Sequence, residues 1–399
     1  MRVALVALHY AEYALCLAEA VAADHDVLLI LEKGNAEAEL GPQPHLEHPR
    51  AQVRYVSHRA DPAAALAQSA ELYRMLRRFR PDVVHAQEVI YDSWAPLGTL
   101  LAHWPLVLTV HDPTPHSGET DMKGIRRRYP LYRALQRRRC DMAITHGDAL
   151  AAELEQQLPA PAGRAVSIAH GVLGVLPGDA PPPAYSPDGS LLFLGRMVEY
   201  KGLPVFLDAV ERLRERGITA PAVLAGRGPA LDSCRARVEA SPHVQVIERY
   251  LEREEMLRLV DEAAVVVLSY LDGTQSGIAL LAMGRGRPVV ASRVGSLPDV
   301  ARDGVNGALV PPGDADVLAD ALDTLLRDPA TLHRYAVEAK HLAEQEFSWA
   351  AIGAATGAVY ERAIAVHRAR PGVASLVTAA CSAVAEGVRS VPGRLTRRR

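Results

Sequence analysis

Two cations five positions apart, Arg196 and Lys201, stand in FLGRMVEYKG, Phe193 to Gly202. An apolar run ends at Gly195. The segment that follows, GLPVFLDAVERLRERG, has the spacing of an amphipathic helix. Positive charges on a short turn beside a helix N-terminus suit a diphosphate, because fixed N–H groups and mobile cations face one anion. A solvated loop with ordinary charges is the plainer reading of the same residues. The only lysines are Lys33, Lys123, Lys201 and Lys340, so a lysine inside a motif is less an accident of composition. A second strand-end turn, Gly226-Arg227-Gly228 in AVLAGRGPALDSC, lets backbone approach a ligand, or simply turns tightly.

Other residues of chemical interest also follow apolar runs. In VLTVHDPTPHSGE, His111 and Asp112 emerge at the end of Leu106–Val110, with His116 a weaker candidate. His146 in ITHGD and His170 in IAHGV each end a strand before a glycine, where they either line a cleft or satisfy a turn. In LDGTQSGIALLAMGRGRPVVAS a polar turn opens a helix that Thr274 or Ser276 can cap.

The elements that must position these residues are legible as a rhythm. Strands are expected at Val3–Ala7, Val27–Leu31, Val53–Ser57, Asp82–His85, Leu106–Val110, Met142–Thr145 and Ala165–Ile168, with helical spacing between them. LPGDAPPPAYSPDG, Leu176 to Gly189, breaks every pattern and reads as a linker. The rhythm then restarts at Leu191–Leu194, Ala222–Ala225, Val244–Ile247, Val265–Ser269, Pro288–Ala291 and Ala308–Val310. The fold class is therefore α/β, with two parallel sheets and a ligand cleft at their strand ends. The expected domains are 1–175 and 190–346 around the linker 176–189, then a terminal helix over 347–370 and a basic tail over 371–399.

The 399 residues are 49% hydrophobic and 23% charged, an ordinary globular composition. A net charge of −3 argues against general nucleic-acid binding. Cys16, Cys140, Cys234 and Cys381 have no metal-ligand spacing and suit reduced thiols in the cytoplasm. The first residues lack a signal-peptide pattern, and no run approaches the ~20 apolar residues of a membrane span. KGIRRRYPLYRALQRRRCD, Lys123 to Asp141, and the arginine-rich tail read by default as a solvated helix face and a frayed end. A sharper reading is peripheral contact with an anionic membrane or a phosphorylated acceptor.

Taken in order, GR…KG, GRG, RYL, the polar turn at 271–277 and GRGRPVVASRVGSLPDVARDGVNGALVPPGD, Gly284 to Asp314, resemble the retaining group-1 nucleotide-sugar glycosyltransferases, glycosyltransferase family four. The resemblance is strongest over Leu191–Leu326 and rests on the number and order of the motifs. It implies the GT-B fold: two facing Rossmann-like domains, the donor mainly on the second, the acceptor mainly on the first, and a final helix crossing back. It also implies that Arg196 and Lys201, beside Gly195 and Gly226, hold the diphosphate of a UDP- or GDP-sugar. Arg249, Tyr250 and Leu251 would lie along the nucleobase. Thr274, Gln275, Ser276 and Gly277 would meet the distal phosphate and sugar. His111 would take the place of the family's histidine near the reacting sugar.

The sequence departs from that pattern at two points. Most of the family carries glutamates eight positions apart, where this chain has Gly273 and Leu281, a trait shared with a branch that has TQSG at this turn. Asp272 is adjacent and is the candidate for the sugar hydroxyls, whereas ribose recognition must come from elsewhere. The glycine-rich loop after the first strand is replaced by ALHYAEYA, so His9, Tyr10 and Glu12, together with Asp112, are expected on the acceptor side.

The implied reaction moves a sugar to the hydroxyl of a sugar, lipid-linked or small-molecule acceptor with retention of configuration. It needs no cofactor, and the cations take the place of a metal. A nucleotide-sugar epimerase or sugar phosphorylase on the same fold, or a non-catalytic nucleotide-binding protein, are the rival readings. A dinucleotide oxidoreductase is disfavoured, because LVALHYAEYA lacks G-x-G-x-x-G.

Overall fold

A computed structural model describes residues 1–41, 48–57, 62–88, 101, 103–114, 129–158, 162–175, 181–273 and 275–370. His116, Thr274 and Cys381 lie outside them, as do the tail and residues 176–180 of the expected linker.

The first half alternates β1 (Arg2–Ala7), α1 (Ala11–Ala22), β2 (Asp26–Glu32), α2 (Lys33–Leu40), β3 (Ala51–Val56), α3 (Pro62–Phe79), β4 (Val83–Gln87), β5 (Leu106–Thr109), α4 (Tyr129–Arg139), β6 (Met142–Thr145), α5 (Asp148–Gln157) and β7 (Ala165–Ser167). Its strands form one parallel sheet in the order β3-β2-β1-β4-β5-β6-β7. The second half runs β8 (Ser190–Leu194), a 3-10 turn (Glu199–Lys201), α6 (Leu203–Glu215), β9 (Ala222–Ala225), α7 (Pro229–Glu239), β10 (Val244–Ile247), α8 (Arg253–Asp261) and β11 (Ala263–Leu268). It continues with α9 (Gly277–Gly284), β12 (Val289–Ser292), α10 (Leu297–Val300), β13 (Gly307–Val310), α11 (Ala315–Leu326) and α12 (Pro329–Gln345). These strands pair in parallel as β10-β9-β8-β11-β12-β13.

Strands such as AVLA, AAVVVL and VVAS are buried along their whole length, because helices cover both faces of each sheet. Strand order reverses between β1 and β4, and again between β8 and β11. A crevice opens at the C-terminal ends of the strands where such a reversal occurs.

The last helix, α13 (Trp349–Ala369), leaves the second domain and packs on the first, as expected for a crossing helix. Ser348 caps it by accepting from Ala351 N–H at 3.3 Å. Ile352, Val359, Tyr360 and Ala363 share one core with β1, β2 and α1. The Tyr360 hydroxyl meets His85 Nδ1 at 2.9 Å, and His367 meets Asp141 at 3.0 Å. Among the described residues no helix is long and apolar enough to cross a membrane.

The basic run differs from a simple solvated face. Arg137 is buried in a bidentate pair with Glu88, at 2.6 and 2.8 Å, and Arg133 approaches the same carboxylate at 3.6 Å. The sequence shows only the density of arginines, whereas helix phase decides which of them turn inward. Removing one partner of a buried pair strands the other charge. Glu88→Ala is therefore expected to cost about 3–5 kcal/mol in urea denaturation. Arg212→Ala, which breaks a partly exposed pair with Asp316, should stay within about 1 kcal/mol.

Candidate active site

The turns after β8, β9 and β11 are brought together by backbone. A Cβ on Gly226 would stand 2.1 Å from the Gly195 carbonyl oxygen, so only glycine allows these strand ends to approach. A Cβ on Gly202 would stand 1.9 Å from the Ser269 oxygen, and its φ of +67° also favours glycine. Ser269 Oγ donates to the carbonyls of Lys201 and Gly202 at 3.3 and 3.1 Å, and Leu271 N–H donates to Tyr200 at 2.6 Å. These bonds pin the 3-10 turn to the loop that leads into α9.

The two cations converge on this frame. Lys201 is buried with its Nζ 5.3 Å from the centre of the Tyr270 ring, and about 3.0 Å from where a Cβ on Gly195 would lie. Arg196 is exposed and lines the cleft, with Tyr200 beside it. Burial, and then the neighbouring Arg196, hold the Lys201 ammonium below the ordinary lysine range, while Tyr200 opposes them. Among the described residues no carboxylate pairs with Lys201. The start of α9 faces the same point: Ile278 Cγ1 lies 3.7 Å from the Gly195 Cβ position. Ser276, bonded to Tyr270 at 3.1 Å, caps α9 by accepting from Ala279 N–H at 3.3 Å. Two cations and a helix N-terminus thus meet at one point, with no carboxylate beside Lys201 among the described residues, an arrangement suited to an anion.

A cleft of about 910 Å³ lies between the domains. Of the sequence candidates, Tyr10, Glu12, Gly195, Arg196, Gly226, Arg249, Tyr250 and Leu251 line it. The Arg249 side chain is held by Glu255 at 2.5 Å, which leaves the Tyr250 ring, 66% exposed, as the free aromatic surface on that wall. Gln275 instead lines a second cavity of about 430 Å³, together with His146 and His170. Asp272 is exposed, and its Oδ1 accepts from the next N–H, Gly273, at 2.8 Å. Gly273 has φ +152°, a backbone that side chains rarely adopt. Leu281 is buried against Gly174, its Cδ1 2.1 Å from where a Cβ there would stand. Both positions that carry glutamate in most of the family thus have structural uses in this chain. Asp232 and Glu248 also line the cleft, bridged by Arg235 at 2.8 and 2.7 Å. Sequence reasoning missed both, although Glu248 directly precedes the RYL loop.

On the first domain, histidines gather at the strand ends. His111 is buried, and its Nε2 meets Gln87 Oε1 at 2.7 Å. His146 and His170 each turn Nδ1 to a backbone carbonyl, Ile168 at 2.9 Å and Gly171 at 2.7 Å. Burial pushes His9 and His146 down to about 4, and His85 and His170 down to about 3. His111 is also well below its ordinary value, first through burial and then through its histidine neighbours. All five rings are therefore neutral at pH 7. Tyr13, absent from the sequence candidates, sits among them with its ring 4.8–5.4 Å from His111, His146 and His170. A tyrosine one turn into a helix gave no signal of its own.

The first loop covers this cluster. Tyr10 has φ 59° and ψ 53°, the left-handed conformation, and its ring lies 3.9 Å from His111. Asn35 Oδ1 accepts from Ala11 N–H at 3.2 Å, and Glu39 accepts from Glu12 N–H at 3.0 Å, so α2 braces the loop. Glu12 in turn accepts from Gly174 N–H at 2.8 Å. His9 is buried beside Tyr10. The Asp112 carbonyl accepts from Arg133 and Arg137 at 3.4 Å, which ties its loop to α4.

Two facing parallel α/β domains with a cleft between them and a crossing terminal helix define the GT-B class of enzymes. Comparison with known proteins agrees. Family models match residues 11–172 (Glycosyltransferase Family 4) and 188–328 (Glycosyl transferases group 1). The chain is 30% identical over 309 residues to the MMP alpha-(1->4)-mannosyltransferase of Mycolicibacterium hassiacum, covering 72% of each chain. It is 32% identical over 288 residues to the phosphatidyl-myo-inositol mannosyltransferase of Mycobacterium leprae, covering 70% of this chain and 73% of that one. Among solved structures, the sucrose-phosphate synthase of Thermosynechococcus elongatus superposes with a TM-score of 0.67 at 18% identity, covering 92% and 99% of the two chains. Anabaena HepE, solved with UDP and glucose, gives 0.65 at 17%, covering 90% and 99%. The chain belongs to the group-1 glycosyltransferases, glycosyltransferase family four.

The conformation of Tyr10 has a measurable consequence. At an ordinary helix-compatible position alanine is more stable than glycine, but at positive φ the order inverts. Tyr10→Gly is therefore expected to unfold about 1 kcal/mol later than Tyr10→Ala in urea denaturation.

Proposed function

We propose that this glycosyltransferase transfers a sugar from a nucleotide diphosphate sugar to an acceptor hydroxyl with retention of configuration. The observation that carries the reading is the pair Arg196 and Lys201 beside Gly195, at the start of α9, with no carboxylate paired to Lys201 among the described residues. The donor's diphosphate supplies the missing counter-charge. As the bond from the anomeric carbon to the diphosphate oxygen breaks, negative charge grows on that oxygen, and the two cations with the α9 N–H groups stabilise it. The sugar passes through an oxocarbenium-like state. The acceptor oxygen bonds to the anomeric carbon on the face the diphosphate leaves, and the acceptor proton passes to the departing phosphate oxygen. No protein carboxylate is needed as base, and cationic side chains serve the diphosphate in place of a metal.

Tyr250 and the backbone of residues 249–251 are assigned to the nucleobase. The exposed ring on the cleft wall is the surface a planar base covers best. Glu248 and Asp232 line the same cleft as acceptors, and we assign ribose recognition there in place of Leu281. UDP is the first nucleotide to test, with GDP and ADP as competitors. His111 is assigned a place near the reacting sugar, beneath Tyr10. A sugar, lipid-linked or small-molecule acceptor would approach past the first loop, at Tyr10 and Glu12. Buried cysteines that form no disulfide, Cys16, Cys140 and Cys234, fit a reducing compartment such as the cytoplasm.

Arg196→Ala and Lys201→Ala should each reduce turnover by about 100-fold or more with unchanged circular dichroism. Wild-type rates would remove the diphosphate assignment. Anion binding also raises the lowered pKa of Lys201, so binding takes up a proton. Calorimetric affinity for UDP should then fall as pH rises from the lowered Lys201 pKa of the free protein to the raised one of the complex. Lys201→Arg, which stays charged, should flatten that decline.

A further inference from the structure

The histidine cluster does more than fill space. His111, His146 and His170 follow three neighbouring strands, β5, β6 and β7, and one ring nitrogen of each lies within 4.8 Å of the other two. One nitrogen of each ring is already committed. A backbone carbonyl only accepts, so Nδ1 of His146 and of His170 must carry the proton and donate it. Each Nε2 is then a bare lone pair. By the same logic, donation from His111 Nε2 to Gln87 Oε1 leaves Nδ1 as its lone pair. His146 Nε2 is buried and has no hydrogen-bond partner. The neighbouring Tyr13 phenol does not serve it, because that hydroxyl is directed to Thr109. Packing of aromatic rings explains the contacts among these residues but leaves the buried His146 Nε2 without a donor.

We propose that His111, His146 and His170 bind one borderline divalent cation, with Zn²⁺ the best fit, and leave a fourth position open toward the cavities that His170 lines. Three imidazoles without a carboxylate suit Zn²⁺, Co²⁺ or Ni²⁺ and reject Mg²⁺ and Ca²⁺, which take oxygen ligands. Zinc–nitrogen bonds of about 2.0–2.1 Å place tetrahedral ligands roughly 3.4 Å apart, so modest ring shifts close the triangle. Gln87 and the two carbonyls supply the outer hydrogen bonds that orient metal-ligating histidines. His170 borders both the interdomain cleft and the second cavity, which gives the ion a way in and an oxygen ligand a place to bind. This cation site is separate from Arg196 and Lys201 but shares His111 with the place proposed for the reacting sugar, so it deepens that reading.

The test uses the whole chain, stripped of metal by a chelator and dialysed, then titrated with ZnCl₂ by calorimetry, with metal content measured by mass spectrometry. One equivalent should be bound and survive dialysis. Co²⁺ in the same protein should give the intense visible bands of a tetrahedral complex. His146→Ala and His170→Ala should weaken Zn²⁺ binding by far more than tenfold, while His243→Ala, on the exposed surface, leaves it unchanged. Gln87→Leu keeps all three ligands and removes only the orienting bond, so about a tenfold loss is expected even where an alanine variant fails to fold. Circular dichroism reports on folding and UDP binding on the donor site, so failure of the donor assignment is seen separately. Retention of less than one equivalent, a pale octahedral Co²⁺ spectrum, or Zn²⁺ binding indifferent to both His170→Ala and Gln87→Leu would overturn the proposal.

Discussion

A lysine ammonium buried without a carboxylate is an unstable arrangement, and among the described residues much of the second domain holds Lys201 in it. Gly195 and Gly226 bring two strand ends to van der Waals contact, and Gly202 lets the 3-10 turn abut Ser269. Backbone bonds from Ser269 and Leu271 then lock that turn to the loop before α9. A charge left uncompensated by its own protein is available to a ligand. The short glycine-containing turns that recur through this half are therefore the geometric conditions for a single electrostatic one.

The first domain follows the opposite strategy. Its buried histidines are neutral rings, and their order comes from hydrogen bonds to backbone carbonyls and to the side chains of Gln87, Thr109 and Tyr360. His85 joins Tyr360 of the crossing helix to Thr109 of β5, at 2.9 and 2.6 Å, so the terminal helix helps to set the floor of the site. Trp349, at the start of that helix, donates to the Val172 carbonyl at 2.9 Å and packs against Tyr13. The chain's last described element is thus part of the site's support as well as of the first domain's core.

The parallel sheets were legible because strands buried on both faces read as unbroken apolar runs. Each expected strand coincides with an observed one within a residue or two. The convergence of Arg196 and Lys201 was legible as well, since both lie within one short turn of chain. Features assembled from distant segments were not. His111, His146 and His170 each looked like an isolated strand-end histidine, because only the order β5-β6-β7 makes them neighbours. Arg133 and Arg137 looked like part of a solvated run, because their shared partner, Glu88, lies on another segment. Leu281 read as a missing acid, and its contact with Gly174, more than one hundred positions earlier, is invisible along the chain.

The short stretch around Gly174 carries more than its length suggests. Its N–H is held by Glu12 of the first domain, its carbonyl by Arg285 of the second at 3.3 Å, and Leu281 packs beside it. Any rotation of one domain against the other loads this residue from both sides. Because Glu12 opens the helix that follows Tyr10, widening the cleft would pull on the loop that covers the histidines. Gly174 thus ties the loop that covers the histidines, through Glu12, to the second domain, through Arg285.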